Sequence, residues 1–176
     1  MSDYDKDLLL RCARKSLETY FSGEAFSIPE TDIRRGAFVT LRKGERLRGC
    51  IGYLEGIEPL YKEVFHLARE AAFSDYRFPP LREAELGAIT IEVSVLTVPK
   101  TIKGLDEFTL SSDGIIITLH GRRAVFLPQV ADETGWDKER LLTELSLKAG
   151  LSEDAWKSPD AVFMIFQAEV TDESPV

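Results

Sequence analysis

Cysteine, histidine and long apolar runs are all scarce in this chain of 176 residues, and each scarcity removes a class of function. Two cysteines, Cys12 and Cys50, cannot build a disulfide framework or the three-thiolate cage of a radical-cofactor iron–sulfur cluster. Two histidines, His66 and His120, could complete a metal site only if both cysteines converged on them. No Cys-x-x-Cys or His-Glu-x-x-His pairing points that way, so neither a metal nor another cofactor is expected. The glycines form no phosphate-binding Gly-Lys-Ser/Thr loop and no Gly-x-Gly-x-x-Gly turn, and no Gly-x-Ser-x-Gly elbow presents a serine nucleophile. No apolar run nears the ~18–20 residues that span a bilayer. The segment from Met1 to Asp7 is polar and acidic and does not read as a signal peptide, so a cytoplasmic, non-membrane protein is expected.

Basic charge is also short. A net charge of −8 argues against generic nucleic-acid binding. The exception is local: Arg34, Arg35, Arg42, Lys43, Arg46 and Arg48 face one acid, Glu45, between positions 34 and 48. That run reads either as a solvated hairpin with protective edge charges or as a basic patch for an anionic ligand beside Cys50. The length and the 44% hydrophobic content suit a soluble protein with a sizeable core: one domain over residues 1–176, in which two subdomains would not be separated by a linker.

The most informative stretch is Leu47-Arg48-Gly49-Cys50-Ile51-Gly52. It reads as a strand, yet glycine inside a strand marks a bulge or a close approach. Alternation predicts Leu47 and Ile51 on the core side and Arg48, Cys50 and Gly52 opposite. A thiol would then stand about 7 Å along one face from a guanidinium. Cations lower a thiol pKa, so Cys50 is a candidate nucleophile, with Glu92, His66 or His120 to move protons. It also reads as a small residue filling a tight gap between glycines.

In chain order, helical spacing of Leu9, Cys12, Ala13, Leu17, Tyr20 and Phe21 predicts a helix from Tyr4 to Phe21, capped by Ser2 or Asp3 and ended by Gly23. Cys12 lies on its apolar stripe as a small hydrophobe. A hairpin follows, Ala37 to Arg42 and Leu47 to Leu54. A second helix runs from Pro59 to Phe73, with alanines on its inner face and His66 on its surface. Ser74 to Leu81 forms a stiff arm before Pro79-Pro80 that could hold Asp75 and Arg77 at the rim of a cleft. Ala88 to Leu96 alternates as a strand. Lys100 to Ser112 reads as a connector, and Ile115 to Leu127 as a hairpin around His120-Gly121, broken by Pro128-Gln129-Val130. Asp137 caps a helix to Ala149. Ala161 to Val170 reads as one last strand, and Thr171 to Val176 as a tail. Helices interleaved with two hairpins favour an α+β fold over a doubly wound parallel sheet.

Leu47 to Gly52 resembles the signature hexapeptide of the AMMECR family. The likeness extends to Gly36–Leu41, to Ala71–Leu81, to Glu92–Leu96 with Pro99, to Asp113-Gly114, to Phe126–Val130 and to Trp136 with its following helix. Tyr76 stands where the family often has proline. In length the chain is similar to the prokaryotic members called AmmeMemoRadiSam system protein A. The resemblance implies a mixed or antiparallel sheet with flanking helices, in a larger and a smaller subdomain around a cleft. It implies no single reaction. It implies a place in a modification pathway, of nucleic acid or of a small metabolite, with a Memo-like protein of the extradiol-dioxygenase fold and a radical S-adenosylmethionine protein. It marks Arg48, Gly49, Cys50 and Gly52 as signature positions, and Asp75, Arg77, Glu92, Ser94 and Gln129 as polar positions that could line the cleft, with His120 beside them as a binding candidate. Two functions stand open. One is thiol-dependent chemistry, with Cys50, Arg48 and Glu92 catalytic. The other is a non-catalytic binding or adaptor module, recognising a partner or anionic ligand through the basic hairpin and the Arg77-Phe78-Pro79-Pro80 arm.

Overall fold

The computed structural model describes residues 2–173. Two sheets divide it. In the first, the strands β1 (Ala37–Lys43), β2 (Arg46–Tyr53), β3 (Ile89–Leu96) and β8 (Ala168–Asp172) lie in the order β2-β1-β3-β8. In the second, β4 (Lys100–Thr101), β5 (Gly114–Leu119), β6 (Arg122–Phe126) and β7 (Val162–Phe166) lie in the order β4-β7-β5-β6. β1 pairs antiparallel with β2 and β3, and β5 with β6 and β7. Helices α1 (Lys6–Ser22) and α2 (Leu60–Phe73) belong with the first sheet, and α3 (Val130–Thr134) and α4 (Lys138–Lys148) with the second. The α+β class expected from the element order holds. The chain forms two compact units: one runs up to Leu96 and resumes at Glu169, and the other holds Thr97–Ala168.

In the first unit the apolar stripe of α1 closes on the sheet. Leu9, Cys12, Ala13 and Leu17 are fully buried against Val39, Leu41, Ile91 and Val93. Burial pushes the Cys12 thiol up to about 11, in keeping with a packing role. The cap of α1 is Asp5, whose carboxylate accepts from Leu8 N at 3.1 Å, two or three residues later than Asp3 or Ser2 would place it; Gly23 ends the helix at φ +74°. Tyr20, placed on the stripe by periodicity, is 52% exposed and stacks on Phe73 at 4.1 Å. Arg14 ties the helix to the sheet through Leu86 O (2.8 Å), Ile89 O (2.9 Å) and Glu173 (2.9 Å). In the second unit Leu141, Leu142 and Leu145 of α4 pack with Ile115, Ile117, Phe163 and Ile165.

Several expectations need correction. The single strand from Ala161 to Val170 is two strands in different sheets, separated at Gln167. Continuous alternation gives no sign of such a break. Lys100–Thr101, expected within a connector, forms β4, and Val130–Thr134, where only a strand break was expected, forms α3; both are too short for periodicity to register. Leu47 does not face the core. Leu41 pairs with Gly49 but Arg42 with Leu47, so Arg48 is the extra residue of a β-bulge, and Leu47 shares the face of Arg42 and Thr90. The expected tail begins as part of β8, and residues 174–176 lie outside the described residues. Among the described residues no helix is long and apolar enough to cross a membrane.

Helix α2 meets the sheet closely at Gly49. A Cβ there would stand 2.1 Å from the Ala71 carbonyl oxygen, with backbone on both sides of the clash. Gly49→Ala is therefore expected to lower stability by at least about 3 kcal/mol. Gly87→Ala, where a Cβ meets nothing within 4 Å and φ is not positive, is expected to be neutral or stabilising by up to about 1 kcal/mol. Urea melts of the two variants, with opposite signs, check this.

Candidate functional site

The register of β1, β2 and β3 sorts the candidate residues. Val39 and Leu41 lie on the helix-covered face, so their neighbours in β1 lie on the other. Across that second face run three rows: Phe38 with Gly52 and Ser94, Thr40 with Cys50 and Glu92, and Arg42 with Leu47 and Thr90. Cys50, Glu92 and Ser94 thus share one face. Thr40 stands between Cys50 and Glu92 and went unrecognised in the sequence, because cross-strand pairing leaves no trace in either strand alone. At one end of the face a depression of about 370 Å³ is lined by Arg42, Thr90 and Glu92 with Gly44, Glu45, Ile91 and Asp172.

β2 is an edge strand, and its free edge is bonded at Cys50 by side chains. Asp75, 5% exposed, accepts from Cys50 N at 3.0 Å and holds Arg77 by Nε (3.0 Å), Nη2 (2.8 Å) and backbone N (3.2 Å). Arg77 Nη2 also reaches the Cys50 carbonyl at 3.5 Å. With both backbone groups of Cys50 turned outward, Cys50 and Thr40 form a non-hydrogen-bonded pair, in which side chains come closest. Thr40 Oγ1 accordingly donates to Cys50 Sγ at 3.2 Å. The Arg77 guanidinium holds the Asp75 carboxyl far below the usual carboxylate range, against the opposing effect of burial, and the Cys50 N–H adds to it. Asp75 and Arg77, predicted from the stiff arm, are therefore brought to Cys50.

The half-buried Cys50 thiol is pushed up from its ordinary value. Burial is the main cause; Thr40 and Arg77 oppose it, and Asp75 and Glu92 add to it. At neutral pH it is a thiol. The cation beside it is Arg77, not Arg48. The bulge turns Arg48 inward, where it is 8% exposed and forks onto the buried Glu85 by Nε and Nη2, each at 3.1 Å. Arg48 is thus engaged with a carboxylate of its own and is corrected as the group that would activate the thiol. Glu85, which also accepts from Arg82 N at 2.8 Å, is pushed down to about 2, chiefly by Arg48. Nothing in the Leu47–Gly52 motif or in Glu83-Ala84-Glu85 foretold this pair.

Glu92 stands two strands from Cys50, roughly 10 Å away at ~4.8 Å per strand, with Thr40 between, so it does not touch the sulfur. Its nearest cation is Arg42 at 3.9 Å. The two signature glycines serve the fold. Gly49 admits α2, and a Cβ on Gly52 would meet the Ala37 carbonyl and the Phe38 ring, both at 2.3 Å. The close approach that glycine signals is made within the chain, by backbone at Gly49 and by backbone and the Phe38 ring at Gly52. His66 is on the surface as expected, its Nδ1 2.6 Å from Glu58 rather than beside Glu63 or Glu70. His120 and Gln129 belong to the second unit. His120 is exposed in the β5–β6 turn at φ +50°, and Gln129 is exposed at the start of α3. Among the described residues no three His, Cys, Asp or Glu side chains converge as a metal ion would require.

A family model described as AMMECR1 matches residues 10–171. The chain is 41% identical to Protein MK0488 of Methanopyrus kandleri, covering 95% of this chain and 87% of that one. It is 39% identical to Protein MJ0810 of Methanocaldococcus jannaschii, covering 93% and 88%. The crystal structure of protein PH0010 from Pyrococcus horikoshii superposes with a TM-score of 0.78 at 35% identity, covering 94% of this chain and 90% of that one.

The Arg48–Glu85 pair makes a pH-dependent contribution. Glu85 has a folded pKa depressed from 4.5 to about 2, so its contribution is complete above 4.5 and is lost as pH falls from there through about 2. Glu85→Gln leaves Arg48 buried without its counter-charge and is expected to cost about 3 kcal/mol at neutral pH. The difference from the parent protein should shrink steadily between those two pH values, as read from denaturant melts across the range.

Proposed function

This chain belongs to the AMMECR1 family, and on that premise we propose that it is the recognition component of a modification pathway, working with a Memo-like protein and a radical S-adenosylmethionine protein. One observation carries the preference for recognition over turnover. Both arginines near Cys50 are held by carboxylates, Arg48 by Glu85 and Arg77 by Asp75, while burial keeps the thiol protonated. A thiolate nucleophile wants an unengaged cation and a proton acceptor at hand; here the carboxylate beside Cys50, Asp75, is taken up by Arg77 and the Cys50 N–H, and Glu92 lies beyond Thr40. The surface that would recognise a partner comprises the polar face of Thr40, Cys50, Glu92 and Ser94, the basic hairpin, and the Arg77-Phe78-Pro79-Pro80 arm. In that arm the Arg77 guanidinium lies over the Phe78 ring at 5.5 Å, and Asp75 anchors its base.

Thiol-dependent chemistry at Cys50 is the second reading. Its support is the Thr40 hydroxyl at 3.2 Å from the sulfur, with Arg77 beside it, since both favour the thiolate.

The two separate in one measurement. In a Cys12→Ser background, the rate of Cys50 alkylation by iodoacetamide is followed by mass spectrometry from about pH 6 to about pH 11. The expected midpoint lies above the ordinary value of 9.0. A midpoint below neutrality would mean a stabilised thiolate and would overturn the recognition reading. Cys50→Ser is expected to capture both pathway proteins within about twofold of the parent affinity.

A further inference from the structure

Three cations of the first unit converge on one carboxylate. Glu85 has Arg48 at 3.1 Å, Lys43 at 3.7 Å and Arg82 at 3.8 Å. They are not equivalent. Arg48 is buried and makes two hydrogen bonds, and the Arg82 backbone N–H makes a third. A carboxylate offers about four acceptor sites, so Glu85 is nearly saturated before Lys43 and the Arg82 side chain are considered. Those two stand beyond hydrogen-bond length, and their side chains are 50% and 78% exposed. One negative charge holds three positive ones together.

A second observation points the same way. Arg48 Nη1 is buried and has no hydrogen-bond acceptor. Leaving a buried charged donor unpartnered is costly, and the site is short of negative charge rather than of donors. Arg46, exposed at the start of β2, adds to the excess at the hairpin end. Glu45 and Glu83, both exposed, are the acids on the same elements.

We infer that Lys43 and Arg82 form a seat for a compact dianion, a phosphate monoester group, above the Arg48–Glu85 pair. An arginine fork and a lysine point charge at one place match phosphate oxygens. The seated anion adds a second negative charge to three cations that share one carboxylate. A single seat suits one phosphate and not a polynucleotide track, which the net charge of −8 would repel. The seat rests on the recognition reading above and gives it a ligand class: a phosphorylated small metabolite, held at the basic hairpin.

The test is a titration of the whole protein with inorganic phosphate at constant ionic strength, balanced with chloride, read by thermal melting and by calorimetry. The parent protein is expected to show a saturable rise in melting temperature at millimolar phosphate. The double variant Lys43→Ala, Arg82→Ala, which touches only exposed side chains, is expected to bind at least about tenfold more weakly. An unchanged Cys50 alkylation profile in that variant shows that the fold is kept. A parent response no larger than that to chloride, or an undiminished response in the double variant, overturns the seat. So does tight binding of a single-stranded oligonucleotide with a steep salt dependence, because that requires a track. Loss of the phosphate effect with partner capture intact removes the seat alone. A low alkylation midpoint removes the recognition reading and leaves the phosphate titration to stand by itself.

Discussion

Everything around the signature strand depends on how closely α2 approaches β2 at Gly49. Without a side chain there, the Ala71 carbonyl can lie where a Cβ would otherwise be. The helix ends at Phe73, and two residues later Asp75 reaches the Cys50 N–H at 3.0 Å. A helix held farther off by a methyl group would carry Asp75 away from the strand edge. Asp75 in turn fixes Arg77 by three hydrogen bonds, and Arg77 meets the Cys50 carbonyl. One missing side chain therefore sets the position of an acid, a base and the direction of the arm that follows.

The same arrangement decides the electrostatics. An exposed strand edge invites pairing with another chain, and proteins blunt such edges with charge. Here the Asp75–Arg77 pair occupies the edge at Cys50, taking the place of a neighbouring strand's N–H and C=O. With those backbone groups turned outward, the Cys50 side chain is close to Thr40 and half-buried, and burial outweighs both groups that would favour a thiolate. Packing and charge thus hold the Cys50 thiol above its ordinary pKa, in a polar row.

Much of the fold could be read from the chain. The helices at Lys6–Ser22, Leu60–Phe73 and Lys138–Lys148 followed from apolar spacing and from the caps at Gly23 and Asp137. The two hairpins followed from the turns at Gly44 and Gly121, where positive φ requires glycine or tolerates it best. Asp75, Arg77 and Cys50 were all picked out as candidates. What escaped was the register. Alternation counts residues along one strand, and a bulge inserts a residue that only the partner strand reveals. The inserted residue is Arg48, so the face assigned to Leu47 and Arg48 was wrong while that of Cys50 was right. The break at Gln167 escaped for the same reason: both halves alternate, and membership of two sheets is a property of their neighbours.

By itself, then, the sequence determined the class of fold, the family, the buried stripe of each long helix and the short roster of groups able to do chemistry. These are local properties, set by periodicity, by glycine and proline, and by the identity of each side chain. Only the tertiary structure decided which charges meet. Arg48 finds Glu85 from 37 residues away, and Cys50 finds Asp75 from 25. Electrostatic partnership depends on distance in space and on the exclusion of water, and neither is written along the chain.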